Sequence, residues 1–187
     1  MASLINSAGA TGTGSMTIQG PNTNSNQVLT IPDATGTVMV SGNMPAFYAY
    51  RTATQTGISG TAYTKIQLNV KLFDTASAYD NATNYRFTPQ VAGYYQVNFG
   101  VVATGTNLSV LQAIAYKNGT SYTQGTYNTT SSSEGGSTGS TLMYLNGSTD
   151  YLELYMYAQV TAGTITVYGG GASFAQSFLS ASLLRAA

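Results

Sequence analysis

The chain has 187 residues, six Lys+Arg, six Asp+Glu, no cysteine, no histidine and a formal net charge of zero. That length suffices for one domain with an appendage, and the charge balance leaves no basic patch for nucleic acid or an anionic membrane surface. Without Cys or His there is no disulfide framework, no thiolate or imidazole metal site, and no Ser-His-Asp or Cys-His nucleophile.

The opening stretch MASLINSAGATGTGSM lacks the basic and continuous apolar regions of a secretory signal, and no window is apolar over the ~18 residues of a membrane span. Synthesis in a cytoplasm without general export is the expectation. From Met1 to Met44 the only charge is Asp33. Two short strands are predicted there, over Ser15–Gly20 and within Gln27–Gly42, where Pro32, Asp33 and Gly36 supply turn chemistry. A lone hairpin is marginal in water. The arm's apolar residues (Leu4, Ile5, Met16, Ile18, Val28, Leu29, Ile31, Val38, Met39, Val40) therefore call for a partner surface. The expected division is an anchoring arm over 1–44 and a head domain over 45–187.

After Pro45 the hydrophobic period is 2. KIQLNVKLF places Ile66, Leu68, Val70 and Leu72 on one face and Lys65, Gln67, Asn69 and Lys71 on the other. YYQVNFGV places Tyr95, Val97, Phe99 and Val101 inward, with Tyr94, Gln96 and Asn98 outward. YLELYMYAQV sets Leu152, Leu154, Met156, Ala158 and Val160 against Tyr151, Glu153, Tyr155, Tyr157 and Gln159. TITVYG buries Ile165 and Val167, and SFLSASLL is a last strand. Turns are predicted at Lys117–Thr120, Ser133–Gly139, Asn146–Asp150 and Tyr168–Ala172. No stretch has a helical period. Many short strands so punctuated mean an antiparallel sandwich or jelly roll.

Paired carboxylates are the one catalytic device left, as Asp74 with Asp80 or Asp150 with Glu153. Asp74, Asp80 and Asp150 lie in turn-rich sequence, where Asp bonds backbone N–H groups. No enzymatic activity and no cofactor are expected. GTG at Gly12–Gly14 and GGGA at Gly169–Ala172 lack the Lys and helix of a phosphate loop.

The segments VKLFDTASAYD (Val70–Asp80), YRFTPQVAGYYQVNF (Tyr85–Phe99), AYKNGT (Ala115–Thr120), LMYLNGSTDYLELYMY (Leu142–Tyr157) and SFLSASLL (Ser177–Leu184) together resemble the C1q/tumour-necrosis-factor-like jelly roll. Phe87, Thr88, Pro89, Gly93, Tyr94, Tyr95 and Phe99 stand at the positions that form the heart of one sheet in that family. The resemblance implies a homotrimer, with the outward Tyr94, Tyr151, Tyr155 and Tyr157 left for its interface. It also implies that a loop calcium would fall to Asp74 and Asp80; two carboxylates are few for that ion, and no metal is expected.

The arm is similar to short β segments in structural proteins of tailed bacteriophages. A trimeric virion surface protein is the reading that follows, made in the host bacterial cytoplasm. Leu4, Ile5, Ile18, Val28, Leu29, Ile31, Val38 and Val40 would anchor it to the major capsid protein while the jelly-roll head projects outward. The alternative is a tail-fibre or tailspike tip held by tail proteins, with a host-surface glycan bound by the outer loops around Tyr122–Ser140.

Overall fold

The computed structural model describes Asn24, Val40, Gly42 and residues 44–129, 132–171 and 173–187. The arm's predicted strands and its anchoring residues lie outside these, except Val40. The described chain forms fourteen strands. In order they are β1 (Ala46–Tyr50), β2 (Gln55–Ile58), β3 (Tyr63–Lys65), β4 (Val70–Asp74), β5 (Tyr79–Asp80), β6 (Arg86–Phe87) and β7 (Ala92–Thr106). There follow β8 (Val110–Lys117), β9 (Thr120–Gln124), β10 (Asn128–Thr129), β11 (Glu134–Asn146), β12 (Leu152–Gln159), β13 (Ala162–Val167) and β14 (Phe178–Ala186).

Two seven-stranded antiparallel sheets face each other as a jelly-roll sandwich. The first runs β2-β13-β7-β14-β1-β4, with β11 along the other edge of β7. The second runs β10-β8-β12-β6-β5, with β3 on β12 and β9 on β8. The long strand β7 organises the first sheet. It pairs with β11 from Ala92 to Thr104 on one side and with β14 and β13 in succession on the other.

The inward rows are those that alternation predicts. Tyr95, Val97 and Phe99 are fully buried, as are Leu152, Leu154, Met156, Ile165 and Val167. Phe47 and Phe87 stack across the sandwich at 4.3 Å, and Phe87 meets Tyr95 edge-on at 5.7 Å. The two most deeply buried phenols reach carbonyls, as burial of a polar group demands: Tyr95 Oη donates to Val91 O at 2.7 Å and Tyr79 Oη to Leu68 O at 3.3 Å. Of the aromatics between Tyr79 and Phe99, Tyr79, Phe87, Tyr95 and Phe99 therefore join the two sheets, while Tyr94 points outward.

Two expectations need correction. KIQLNVKLF is not one strand. β3 pairs with β12 in the second sheet, and β4 pairs with β1 in the first. Residues 66–69 cross between the sheets, so Ile66 and Leu68 are buried while Leu72 is 50% exposed. Side chains satisfy the backbone of the crossing. The Arg51 guanidinium donates to Gln67 O, Gln55 Oε1 accepts from Gln67 N at 3.0 Å, and Asn81 Nδ2 donates to Asn69 O at 2.9 Å.

The second correction is Ser133–Gly139, which is no turn. Residues from Glu134 onward belong to β11. Gly139 answers a steric need, because a Cβ there would lie 2.4 Å from Phe99 Cζ. Gly93 lies within β7 and has no positive φ. Its requirement is close approach, since a Cβ there would sit 2.3 Å from Arg185 O. The turns at Lys117–Thr120 and Asn146–Asp150 follow the sequence, and Ala172 of the one predicted at Tyr168–Ala172 lies outside the described residues. Asn118 and Gly119, with φ of 53° and 75°, close the β8–β9 hairpin as a type I′ pair does.

Candidate interaction surfaces

Period 2 says which side chains point out of the sandwich, but each sheet has its own outer face. Tyr94 belongs to β7 of the first sheet. Tyr155 and Tyr157 belong to β12 of the second, with Tyr151 just before it. The four tyrosines assigned to one interface are therefore not brought together.

On the first sheet's outer face, Tyr94 is 46% exposed and packs against Tyr144 at a ring distance of 5.5 Å. The register sets Tyr144 opposite Tyr94, Leu142 opposite Gln96 and Ser140 opposite Asn98. Leu142 and Leu184 are 51% and 64% exposed. Farther across, Phe178 stacks on Tyr48 at 5.5 Å, and Tyr48 touches the exposed Phe73 at 6.4 Å. Between these apolar groups the outward positions of β7, β11 and β14 are Gln96, Asn98, Thr138, Ser140, Ser180 and Ser182. The charged groups at this face are Glu134, Arg185 opposite Tyr94, and the Lys117 ammonium, 5.6 Å from the Tyr144 ring.

The second sheet's outer face is different. Tyr116 and Tyr155 stack at 3.9 Å, and Tyr63 leans on Tyr157 at 5.1 Å. Burial raises the pKa of the Tyr116 and Tyr155 phenols, so both stay neutral donors at physiological pH. Glu153 is only 3% exposed and pairs with Lys65. These tyrosines largely pack on one another, and Tyr63 at 55% is the most exposed of them.

Each candidate carboxylate has a structural task. Asp74 accepts from Ala78 N and Tyr79 N, both at 3.0 Å, and pairs with Lys71 at 3.2 Å. Asp80 accepts from Ala82 N, Thr83 N, Asn84 N and Asn84 Nδ2 at 2.8–3.0 Å. Those backbone donors, Thr83 first, hold its carboxyl well below the usual range. Asp150 takes Asn118 Nδ2 at 2.7 Å, Asn146 N at 3.1 Å and the Lys117 ammonium at 2.9 Å. Burial alone would raise the Asp150 pKa, but the bonds from Asn118 and Lys117 outweigh it and lower it. Among the described residues no group of three or more acidic side chains could hold a metal ion.

One polar pocket opens beside β5 and β6, with a volume of about 370 Å³. Its lining includes Ser77, Asn84, Arg86, Thr88, Gln90 and Ser148. The loops named for a glycan prove to be mostly strand, β9 and β11. Tyr122 and Tyr127, 47% and 58% exposed, are the large side chains they leave open. Of the anchoring residues only Val40 is described, and it is 55% exposed.

The architecture can now be compared with known folds. Murine APRIL at pH 5.0 superposes with a TM-score of 0.55 at 9% identity, over 75% of this chain and 99% of that one. Eiger TNF from S. frugiperda gives 0.54 at 10% identity, over 77% and 93%. The globular domain of zebrafish complement 1qA protein gives 0.51 at 17% identity, over 76% and 99%. The chain has the C1q/TNF-like jelly-roll fold. At such identities the likeness is one of fold alone. No protein-family model matches the sequence, and no curated protein does.

The sequence reading missed Leu142, Tyr144 and Leu184. Their signal was present: LMYL and SLL are apolar at successive positions, so some of those side chains must point out of the core. It missed Arg86 as well, which no local pattern distinguishes.

Proposed function

We propose that this protein is a self-associating structural and attachment protein of a phage virion. It is a homotrimer that decorates the capsid through its N-terminal arm and carries the jelly-roll head outward. The observation that carries self-association is the first sheet's outer face. Leu142, Leu184, Tyr94, Tyr144 and Phe73 are exposed there, around small polar groups, with Arg185 opposite Tyr94 and the Lys117 ammonium over Tyr144 as the nearby charges. Large contiguous apolar exposure marks an association surface. A tyrosine suits such a seam because its ring buries area while its hydroxyl keeps a partner. The trimer seam is therefore placed on Tyr94 and its neighbours rather than on Tyr151, Tyr155 and Tyr157.

The capsid assignment rests on the arm. Its apolar residues, its near absence of charge and its strand-like segments fit docking by strand addition on a shell protein. Three arms on one trimer bind with avidity. Every residue of the described core lies between Phe47 and Leu183, so the head closes its own core.

The test of the assembly is mass in solution. The 19.5 kDa chain should sediment as a trimer, with an interface on the order of 2,000 Å². Leu142→Asp combined with Leu184→Asp should shift it to monomer. A monodisperse wild-type monomer at micromolar concentration refutes the proposal. A second reading, attachment to a host glycan at a tail tip, is favoured by the polar pocket around Arg86.

A further inference from the structure

Arg86 stands out by the chemistry around it. Its backbone is held in β6 between β5 and β12. Its guanidinium lies over the Tyr151 ring, 4.4 Å from Cζ to centroid. Among the described residues that guanidinium has no hydrogen-bond acceptor and no ion-pair partner. Stacking fixes the guanidinium and leaves its in-plane N–H donors free. The other charge in the pocket, Asp80, is already engaged. Its two oxygens take three backbone N–H groups and the Asn84 amide, which fills the lone-pair capacity of a carboxylate.

The remaining lining is hydroxyl and amide: Ser77, Thr88, Ser148, Asn84 and Gln90. The volume, about 370 Å³, stands at the small end of ligand sites. Two residues at this site hold left-handed backbone without being glycine, Ser77 at φ 53° and Tyr85 at φ 51°. Such strain persists only where its surroundings enforce it, and it gathers at functional sites.

We propose that this pocket binds one acidic sugar unit, a hexuronate or sialic-type residue, with its carboxylate on Arg86. A guanidinium with free donors matches a carboxylate in a two-bond fork. The surrounding hydroxyls and amides match the ring hydroxyls of a saccharide, which apolar walls would not. The site does not depend on the capsid assignment, and its test uses the purified full-length chain alone.

The probes are galacturonate, glucuronate and N-acetylneuraminate, with glucose and inorganic phosphate as comparisons, titrated by calorimetry and by amide-shift mapping. At least one acidic sugar binds, and the shifted amides include Thr88, Gln90 and Ser148. Arg86→Gln weakens that binding about tenfold or more, the scale of a hydrogen bond to a charged group. Arg86→Lys also weakens it, because a point charge does not reproduce the fork. Both variants remain cooperatively folded, with the melting temperature lowered only by the weakened stacking on Tyr151, since the guanidinium bonds no protein acceptor. Thr88→Val, which leaves Arg86 in place, reduces sugar binding on its own. The proposal is overturned if no acidic sugar binds. It is equally overturned if glucose binds as tightly as the acids, or if phosphate binds and the sugars do not.

Discussion

Gly139 gives the sharpest test of how this sandwich is built. As part of an exposed turn, Gly139→Ala would be neutral or slightly stabilising through the unfolded chain. In the structure Gly139 pairs with Phe99 across β7 and β11. An added Cβ would lie 2.4 Å from Phe99 Cζ, 2.6 Å from Phe99 Cε2 and 2.9 Å from Gly125 Cα. Phe99 is fully buried, so the ring cannot swing into solvent. Overpacking of this kind costs about 1–3 kcal/mol. At about 2–4 °C per kcal/mol for a chain of this size, the melting temperature should fall by about 2–12 °C at fixed protein concentration. The decisive measurement is a double-mutant cycle with Phe99→Leu. Leucine has no atoms where Cζ and Cε2 stand, so most of the clash goes, while the approach to Gly125 stays. The cost of Gly139→Ala should drop in that background, with a coupling of about 0.5–3 kcal/mol. Equal cost in both backgrounds would show that the ring is not the obstacle and would refute this register of β11 on β7.

Phe99→Ala should destabilise by about 3–5 kcal/mol in a urea titration; an unchanged midpoint would mean that the inward row of β7 is misassigned. Asp80 has its folded pKa lowered by its turn N–H groups, so its stabilisation is complete above the unfolded value near ~3.9. That contribution is lost as pH falls through the folded pKa. Acid unfolding below about pH 4 should therefore be shallower in Asp80→Asn, which is also less stable at neutral pH; parallel acid curves for variant and wild type would exclude this role. Lys65→Ala leaves Glu153, 3% exposed, without its cation. The half-exposed Lys65 puts the cost between a surface and a buried pair, about 2 kcal/mol; Glu153→Gln in the same chain should recover part of it in thermal melts. A chain beginning at Pro45 should remain a folded trimer by light scattering yet fail to bind decoration-stripped capsids, which full-length protein binds and protects against heat; capsid binding by the shortened head would reject the anchoring role of the arm.

The inner half of the fold was readable because one requirement governs it. Tyr95, Val97 and Phe99 alternate with polar neighbours and are buried for that reason alone, and the same holds for Leu152, Leu154 and Met156. Where a second requirement intervened, the pattern misled. The alternation of Ile66, Leu68, Val70 and Leu72 spans a crossing between sheets, and side chains from Arg51, Gln55 and Asn81 replace the ladder there. Glycine read locally at Gly135, Gly136 and Gly139 means a turn. At Gly139 it means that a phenylalanine on the neighbouring strand needs the space. Local sequence carries no record of that neighbour.

The surfaces were harder to read for a related reason. Alternation distinguishes inside from outside, but a two-layer sandwich has two outsides. Tyr94 and Tyr155 are equally outward in sequence and lie on opposite sheets. Their chemistry separates once the sheets are known. The first face exposes Leu142 and Leu184 among small polar groups, and its charges are Glu134, Arg185 and the Lys117 ammonium over Tyr144. The second holds Lys65, Glu153 and Arg86 among its tyrosines, and the pocket at its β5–β6 edge keeps a guanidinium with open donors. None of the six pocket residues named belongs to the outward positions of β7, β11 and β14. Burying the first face in an assembly therefore does not use up the groups on which ligand binding depends. Assembly through the first face, as proposed, would leave the Arg86 guanidinium and its open donors accessible on the other sheet.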